Sequence, residues 1–175
     1  MLRKILIASD IHGNSNNFEK VVQAFKTEGC DLMILLGDIY TSLYSKSIYD
    51  DDITKMLNKL VKKLVIVKGN CDSELAYEES PVGLLKAYEF KFGFKKFICY
   101  HGDVDFSELL GYDVYIRGHS HHYLYEKDKE NGRLYLNPGS VGYPRDGTCG
   151  TFMILTRLRV TILDLDNNVI LEEKI

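Results

Sequence analysis

The sequence predicts an α/β (α+β) fold in which two β-sheets pack face to face and helices cover the outside. Three observations predict it. The first half alternates short, continuous apolar runs with segments of helical spacing, the pattern of a mainly parallel sheet with right-handed crossovers. The second half is a succession of short strand-like runs separated by Gly, Pro and Asn turns, with little helical periodicity. The chain has 175 residues, 45% hydrophobic composition and only 3 prolines. That suits one domain, 1–175, burying about 70% of the surface its unfolded chain would expose.

Taken in order, residues 4–9 (KILIAS) form a run without polar alternation, as in a strand buried on both faces. A helix follows over 17–28, with Phe18, Val21, Val22 and Phe25 as its apolar stripe, Asn16 and Glu19 as a capping box and Gly29 as its stop. Residues 31–37 (DLMILLG) are a second buried strand. The polar, Tyr-rich stretch 40–49 reads as a loop. Asp50, Asp51 and Asp52 suit the positive end of a helix over 53–63. Residues 63–69 (KLVIVKG) give a third buried strand. Then 88–102 alternates around a central Gly and reads as a hairpin, a short helical piece is expected near 106–110, and strands follow at 112–118, 133–139, 151–157, 159–165 and 169–175.

The net charge of −3 provides no broad basic face, so a stable nucleic-acid partner is not expected. No run reaches membrane-spanning length, and the apolar run after MLRK stops at Asp10, too soon for a signal-peptide core. The 4 cysteines are widely spaced without a CxxC pair, so no disulfide framework is expected and a cytoplasmic location fits.

The chemistry collects where the apolar runs stop. KILIAS is followed by Asp10 and His12, MILLG by Asp38, LVIVKG by Asn70, FICY by His101 and VYIRG by His119 and His121. Four of the 5 histidines fall in this set, and His122 is adjacent to it. A single Asp after a strand is commonly a turn or cap residue. Five strand ends that each carry a metal-competent side chain beside a Gly are a different matter, because open sheets bind ligands beyond the carboxyl ends of their strands. Residues i and i+2 of an extended segment share a side, so Asp10 with His12, and His119 with His121, are each expected to converge. Carboxylate, imidazole and amide ligands suit Mn, Fe, Ni, Co or Zn. Seven ligands exceed one ion's needs and suit two ions sharing a carboxylate.

The blocks DIH (10–12), GD (37–38), GNCD (69–72), HG (101–102) and GHSH (118–121) resemble, in order, those of the calcineurin-like metallophosphoesterases. The short length and the stretch NPGSVGYPR (137–145) resemble the small YfcE-type phosphodiesterase branch. The resemblance implies a four-layer αββα sandwich of two mixed sheets flanked by helices. It implies two divalent ions, with manganese preferred, one held by Asp10, His12, Asp38 and His121 and the other by Asp38, Asn70, His101 and His119. It implies a bridging hydroxide that attacks a small phosphodiester or other phosphate ester in line, with Asp38, Asn70 and His101 as the catalytic set. A homo-dimer or tetramer is common in the branch. Many superfamily members carry His where this chain has Cys71, so activated diesters are the expected substrates. Asn14, Cys71 and His122 are the substrate-side candidates, Asp72 a residue that orients a ligand or caps a helix, and Asn137 and Ser140 braces behind the site. Two alternatives remain: a phosphomonoesterase or nucleotide hydrolase, and a non-catalytic scaffold like the retromer subunit of this fold, which should have lost ligands that this chain retains.

Overall fold

The structure, a computed structural model, describes residues 2–40, 51–72, 80–104 and 111–175. The Tyr-rich stretch at 41–49, Asp50 and the helical piece expected at 106–110 lie outside the described residues. Twelve strands are seen among the described residues. The first half supplies β1 (Lys4–Ala8), β2 (Leu32–Leu35), β3 (Leu64–Val67) and β4 (Leu84–Leu85), with α1 (Ser15–Thr27) and α2 (Asp51–Asn58) between them. The second half supplies β5 (Ala87–Phe92), β6 (Lys95–Tyr100), β7 (Val114–Arg117), β8 (Tyr123–Lys127), β9 (Leu134–Pro138), β10 (Thr151–Thr156), β11 (Arg159–Asp164) and β12 (Val169–Lys174).

These strands form two mixed sheets, ordered β12-β11-β10-β1-β2-β3-β4 and β5-β6-β7-β9-β8. β1, β2, β3 and β4 are parallel, while β10 pairs antiparallel with β1. The second-half strands β10 to β12 therefore complete the first sheet. The continuous apolar runs follow from burial on both faces. In β1, Leu6 and Ala8 pack beneath α1 and α2 with Phe18, Val21, Phe25, Ile53 and Leu57. Ile5 and Ile7 face the second sheet and meet Phe97, Cys99, Val114, Ile116 and Leu136. The same alternation runs through Met33 and Leu35 against Ile34 and Leu36. The outer face of the second sheet carries Ile98, Tyr100 and Tyr115.

Several boundaries differ from the sequence expectation. α1 begins at Ser15, two residues early, because Asn14 caps it: the Asn17 N–H donates to Asn14 Oδ1 at 3.1 Å, and no Asn16–Glu19 capping box forms. The helix expected over 53–63 stops at Asn58, and a short 3-10 turn at Val61–Lys63 leads into β3. β8 and the two-residue β4 have no counterpart in the sequence reading. β8 is only half-buried and leaves no apolar signature.

Candidate metal centre

β1, β2 and β3 run parallel, as do β6 and β7, so the five loops carrying the sequence blocks leave the two sheets at one edge. There Asp10, His12, Asp38, His101 and His121 are buried, while Asn70 and His119 are exposed and form the open side. The seven side chains converge. His12 Nε2 lies 3.3 Å from His121 Nε2 and 3.8 Å from Asp10 Oδ1, and His121 Nε2 lies 3.3 Å from Asp10 Oδ1. On the other side, His101 Nε2 lies 2.9 Å from Asn70 Oδ1 and 3.2 Å from His119 Nδ1. Asp38 Oδ2 stands between the two groups, 3.6 Å from His12 Nε2 and 3.5 Å from His101 Nε2.

The two carboxylates are oriented alike. Asp10 Oδ2 accepts the His119 N–H at 2.9 Å, and Asp38 Oδ1 accepts the Cys71 N–H at 2.8 Å. Each thereby turns its second oxygen into the cluster. Asp10 Oδ1 is buried and accepts no hydrogen bond, an arrangement that costs free energy unless a cation sits nearby. The histidines are fixed similarly. The Nδ1–H of His101 donates to Leu36 O at 2.6 Å, and that of His121 to Tyr143 O at 2.6 Å, in the tautomer that leaves Nε2 facing the cluster. Ligand atoms on one ion at about 2.1 Å are separated by about 3.0–3.4 Å. The observed spacings approach that range, and three overlapping groups, Asp10/His12/His121, His12/Asp38/Cys71 and Asp10/Asp38/His101, bring candidate donor atoms within 4.8 Å of one another. The residues fit divalent cations.

Convergence does not come from alternation along an extended strand. β1 ends at Ala8 and β7 at Arg117, before the ligand candidates. Asp10, His12, Asp38, His119 and His121 instead occupy the left-handed region, at φ 54, 49, 53, 64 and 62°. Asn167 is the only other non-glycine residue there among those described. Each such residue costs about 1–2 kcal/mol, and such strain gathers at functional sites. The loops are held by one another: the His12 N–H donates to Asp38 O at 2.8 Å, the Gly118 N–H to His101 O at 2.8 Å and the Arg145 N–H to His121 O at 3.0 Å. Two glycines permit the approach. A Cβ on Gly69 would strike Asp38, and one on Gly118 would strike Ser9 and Asp10.

Asp72 orients no ligand histidine, and the residues after it, 73–79, where a helix it could cap would start, lie outside the described residues. Its Oδ2 accepts the N–H groups of Asp38 and Gly69, both at 2.9 Å, and its Oδ1 accepts that of Ile39 at 2.9 Å, tying the second loop to the third. Burial pushes its carboxyl up against the pull of these N–H groups. Asn137 and Ser140 do brace the site: the Asn137 amide donates to Gly118 O at 2.9 Å, and the Ser140 hydroxyl to Asp10 O at 2.8 Å. The carbonyls of Leu36 and Tyr143 were beyond sequence reasoning, since a backbone acceptor has no side-chain signature. Asp72 stood inside the GNCD block, where its role could be suspected but not specified.

Burial by itself would raise the Asp38 carboxyl, but the hydrogen bond and charge of His101, with the Cys71 N–H and His12, bring it down to about 2. Burial likewise works against a charged His101, but Asp38 outweighs it and holds the ring up to about 9. His121 is raised too, with Asp10 overcoming burial. Burial, followed by the neighbouring Asp38, pushes the Cys71 thiol up to about 12.

The substrate-side candidates separate. Cys71 is half-buried within the cluster, Asn14 serves as the α1 cap, and exposed His122 turns its Nδ1 to Ser120 O at 2.8 Å. Arg117 and Arg145 are exposed. None of the four cysteines is in a disulfide, and no helix among the described residues is long and apolar enough to cross a membrane.

The sequence model of the calcineurin-like phosphoesterase superfamily domain matches residues 3–158. The chain belongs to this superfamily. Within the family its likeness is to the YfcE-type branch. It is 25% identical over 181 residues to phosphodiesterase YfcE of Escherichia coli K12, covering 98% of this chain and 97% of that protein. It is 29% identical over 163 residues to the probable metallophosphoesterase YsnB of Bacillus subtilis, covering 87% and 83%. The solved structure of the YfcE phosphoesterase from Escherichia coli superposes with a TM-score of 0.87 at 24% identity, covering 97% and 98% of the two chains. Vacuolar protein sorting 29 from Cryptosporidium parvum shares the fold, with a TM-score of 0.68 at 22% identity and coverage of 99% and 98%. The family is one of phosphoesterases that use divalent metals, and the metallophosphoesterase sandwich expected from the sequence is the fold observed.

Proposed function

We propose that this chain is a dinuclear, metal-dependent phosphodiesterase. The observation that carries the reading is Asp38, whose Oδ2 stands 3.6 Å from His12 Nε2 and 3.5 Å from His101 Nε2, between two groups of ligand atoms. Asp10, His12, His121 and Asp38 would hold one divalent ion, and Asp38, Asn70, His101 and His119 the other, with manganese the preferred metal. When bound, the ions supply hydroxide near neutral pH for in-line attack and positive charge for the phosphoryl oxygens.

The chain's own residues supply the rest. Leu36 O and Tyr143 O keep the protons of His101 and His121 on Nδ1, and the Cys71 N–H fixes the Asp38 carboxylate. The buried wall of Asp10, His12 and His121 excludes water from one side, so substrate arrives past Asn70 and His119. A thiol is a weaker proton donor to a leaving alkoxide than an imidazolium, so Cys71 at this position favours esters with good leaving groups.

The test is hydrolysis of bis(p-nitrophenyl) phosphate against p-nitrophenyl phosphate in Mn(II), with Asp38→Asn alongside. Metal-dependent diester turnover that the variant lacks is the expected result. Faster monoester turnover would make the chain a phosphomonoesterase. Failure of both esters with folded protein and several metals would favour a partner-binding scaffold, a role for which the full ligand set gives no support. Light scattering would test the expected homo-dimer or tetramer.

A further inference from the structure

A cavity of about 570 Å³ is lined by Lys68, Gly69, Asn70, Lys86, Asp103 and Val104. It shares Asn70 with the ligand set, and Gly69 joins Asn70 to Lys68. Lys68 and Lys86 each follow the last residue of a strand, β3 and β4, which pair in parallel with Val67 opposite Leu85. The Lys68 N–H donates to Leu85 O at 2.8 Å, so the two lysines leave neighbouring strands side by side. Like charges placed next to each other across a strand pair are destabilising, and an anion set between them relieves the repulsion. Lys86 is exposed and makes no salt bridge with a described residue. Val104 is 55% exposed, an apolar surface at the rim, and Asp103 is an acceptor beside it.

We propose that this cavity is a subsite for one ester arm of the substrate, an organic group carrying its own anionic substituent, carboxylate or phosphate. Lys68 and Lys86 bind the anion, Val104 contacts the carbon skeleton, and Asp103 accepts from a hydroxyl or amine of the arm. The inference rests on the phosphodiesterase reading and deepens it, since an uncharged model diester leaves the lysines unused.

The test compares two diesters with the same chromophore, p-nitrophenyl phenyl phosphate and p-nitrophenyl 3-carboxyphenyl phosphate, in the Mn(II)-loaded protein. The variants are Lys68→Gln, Lys86→Gln and the double variant, with Lys129→Gln as a distant control and circular dichroism to confirm folding. The wild type should prefer the carboxyphenyl ester in kcat/KM by about 3–10-fold, the range spanned by exposed ion pairs and charge-assisted hydrogen bonds. The double variant should lose that preference through KM, and salt should weaken it in the wild type. Calorimetry should show 3-carboxyphenyl phosphate binding more tightly than phenyl phosphate to the wild type only. Turnover of both esters without a lysine-dependent preference would overturn the subsite and leave the phosphodiesterase reading standing. A preference for a cationic arm would also overturn it. Turnover of neither ester would overturn both readings.

Discussion

Replacing Asp72 by Ala removes the acceptor for three backbone N–H groups, those of Asp38, Ile39 and Gly69, all bonded at 2.9 Å. The site is 3% exposed, so water cannot readily take over. A buried N–H left without a partner costs about 1–3 kcal/mol. Three of them, partly relieved by relaxation of the loop, cost about 4 kcal/mol, a large part of the roughly 5–15 kcal/mol that stabilises a domain. In a chain of this length about 1 kcal/mol moves Tm by about 2–4 °C, so the Ala variant should melt about 8–16 °C lower. Asp72→Asn keeps an oxygen for two of the donors and faces the third with an N–H₂, so its loss should be about 2 kcal/mol, or about 4–8 °C. Because Asp72 holds Asp38 by its N–H, both variants should also bind Mn(II) more weakly. Thermal denaturation by circular dichroism and manganese titration calorimetry read the two effects. An Ala variant within about 1 kcal/mol of the wild type, with unchanged Mn(II) affinity, would refute the assignment of Asp72 as the tie between the two loops.

Cys71→His should raise turnover of alkyl esters relative to p-nitrophenyl esters, because an imidazolium is a better proton donor to a leaving alkoxide than a thiol; an unchanged ratio would separate Cys71 from leaving-group protonation. In the metal-free protein Asp38 keeps a proton on His101 up to about pH 9, and metal has to displace it, so Mn(II) affinity should rise with pH by up to about tenfold per unit and level off above about 9, with proton release visible by calorimetry in buffers of different ionisation enthalpy. Manganese at about 100 times its Kd should stabilise the fold by about 2.7 kcal/mol, raising Tm by about 5–11 °C, and chelation should reverse the shift. Gly118→Ala forces a Cβ against Ser9 and Asp10, so it should lower both Tm and Mn(II) affinity, whereas Gly132→Ala, which meets nothing within 4 Å, should leave metal affinity unchanged.

The sequence by itself determined which residues meet at the site. Asp10, His12, Asp38, Asn70, His101, His119 and His121 stand at the ends of apolar runs, and a run such as Lys4–Ala8, apolar at every buried position, already implies a strand covered on both faces. It also implied two sheets packed face to face, although β10 to β12 of the second half turned out to lie beside β1 in the first sheet. What it could not determine is how the side chains converge. Strand alternation suggested that Asp10 and His12 share a side, but both lie beyond the strand in left-handed conformations, held by hydrogen bonds to Gly37 and Asp38 carbonyls. Such conformations depend on neighbours distant in sequence, so no local pattern announces them. For the same reason the antiparallel seat of β10 beside β1, the carbonyls of Leu36 and Tyr143 behind the histidines, and the three N–H groups gathered by Asp72 became visible only in the tertiary structure. A residue type fixes which bonds a group is able to make, but the folded chain decides which partners come within reach.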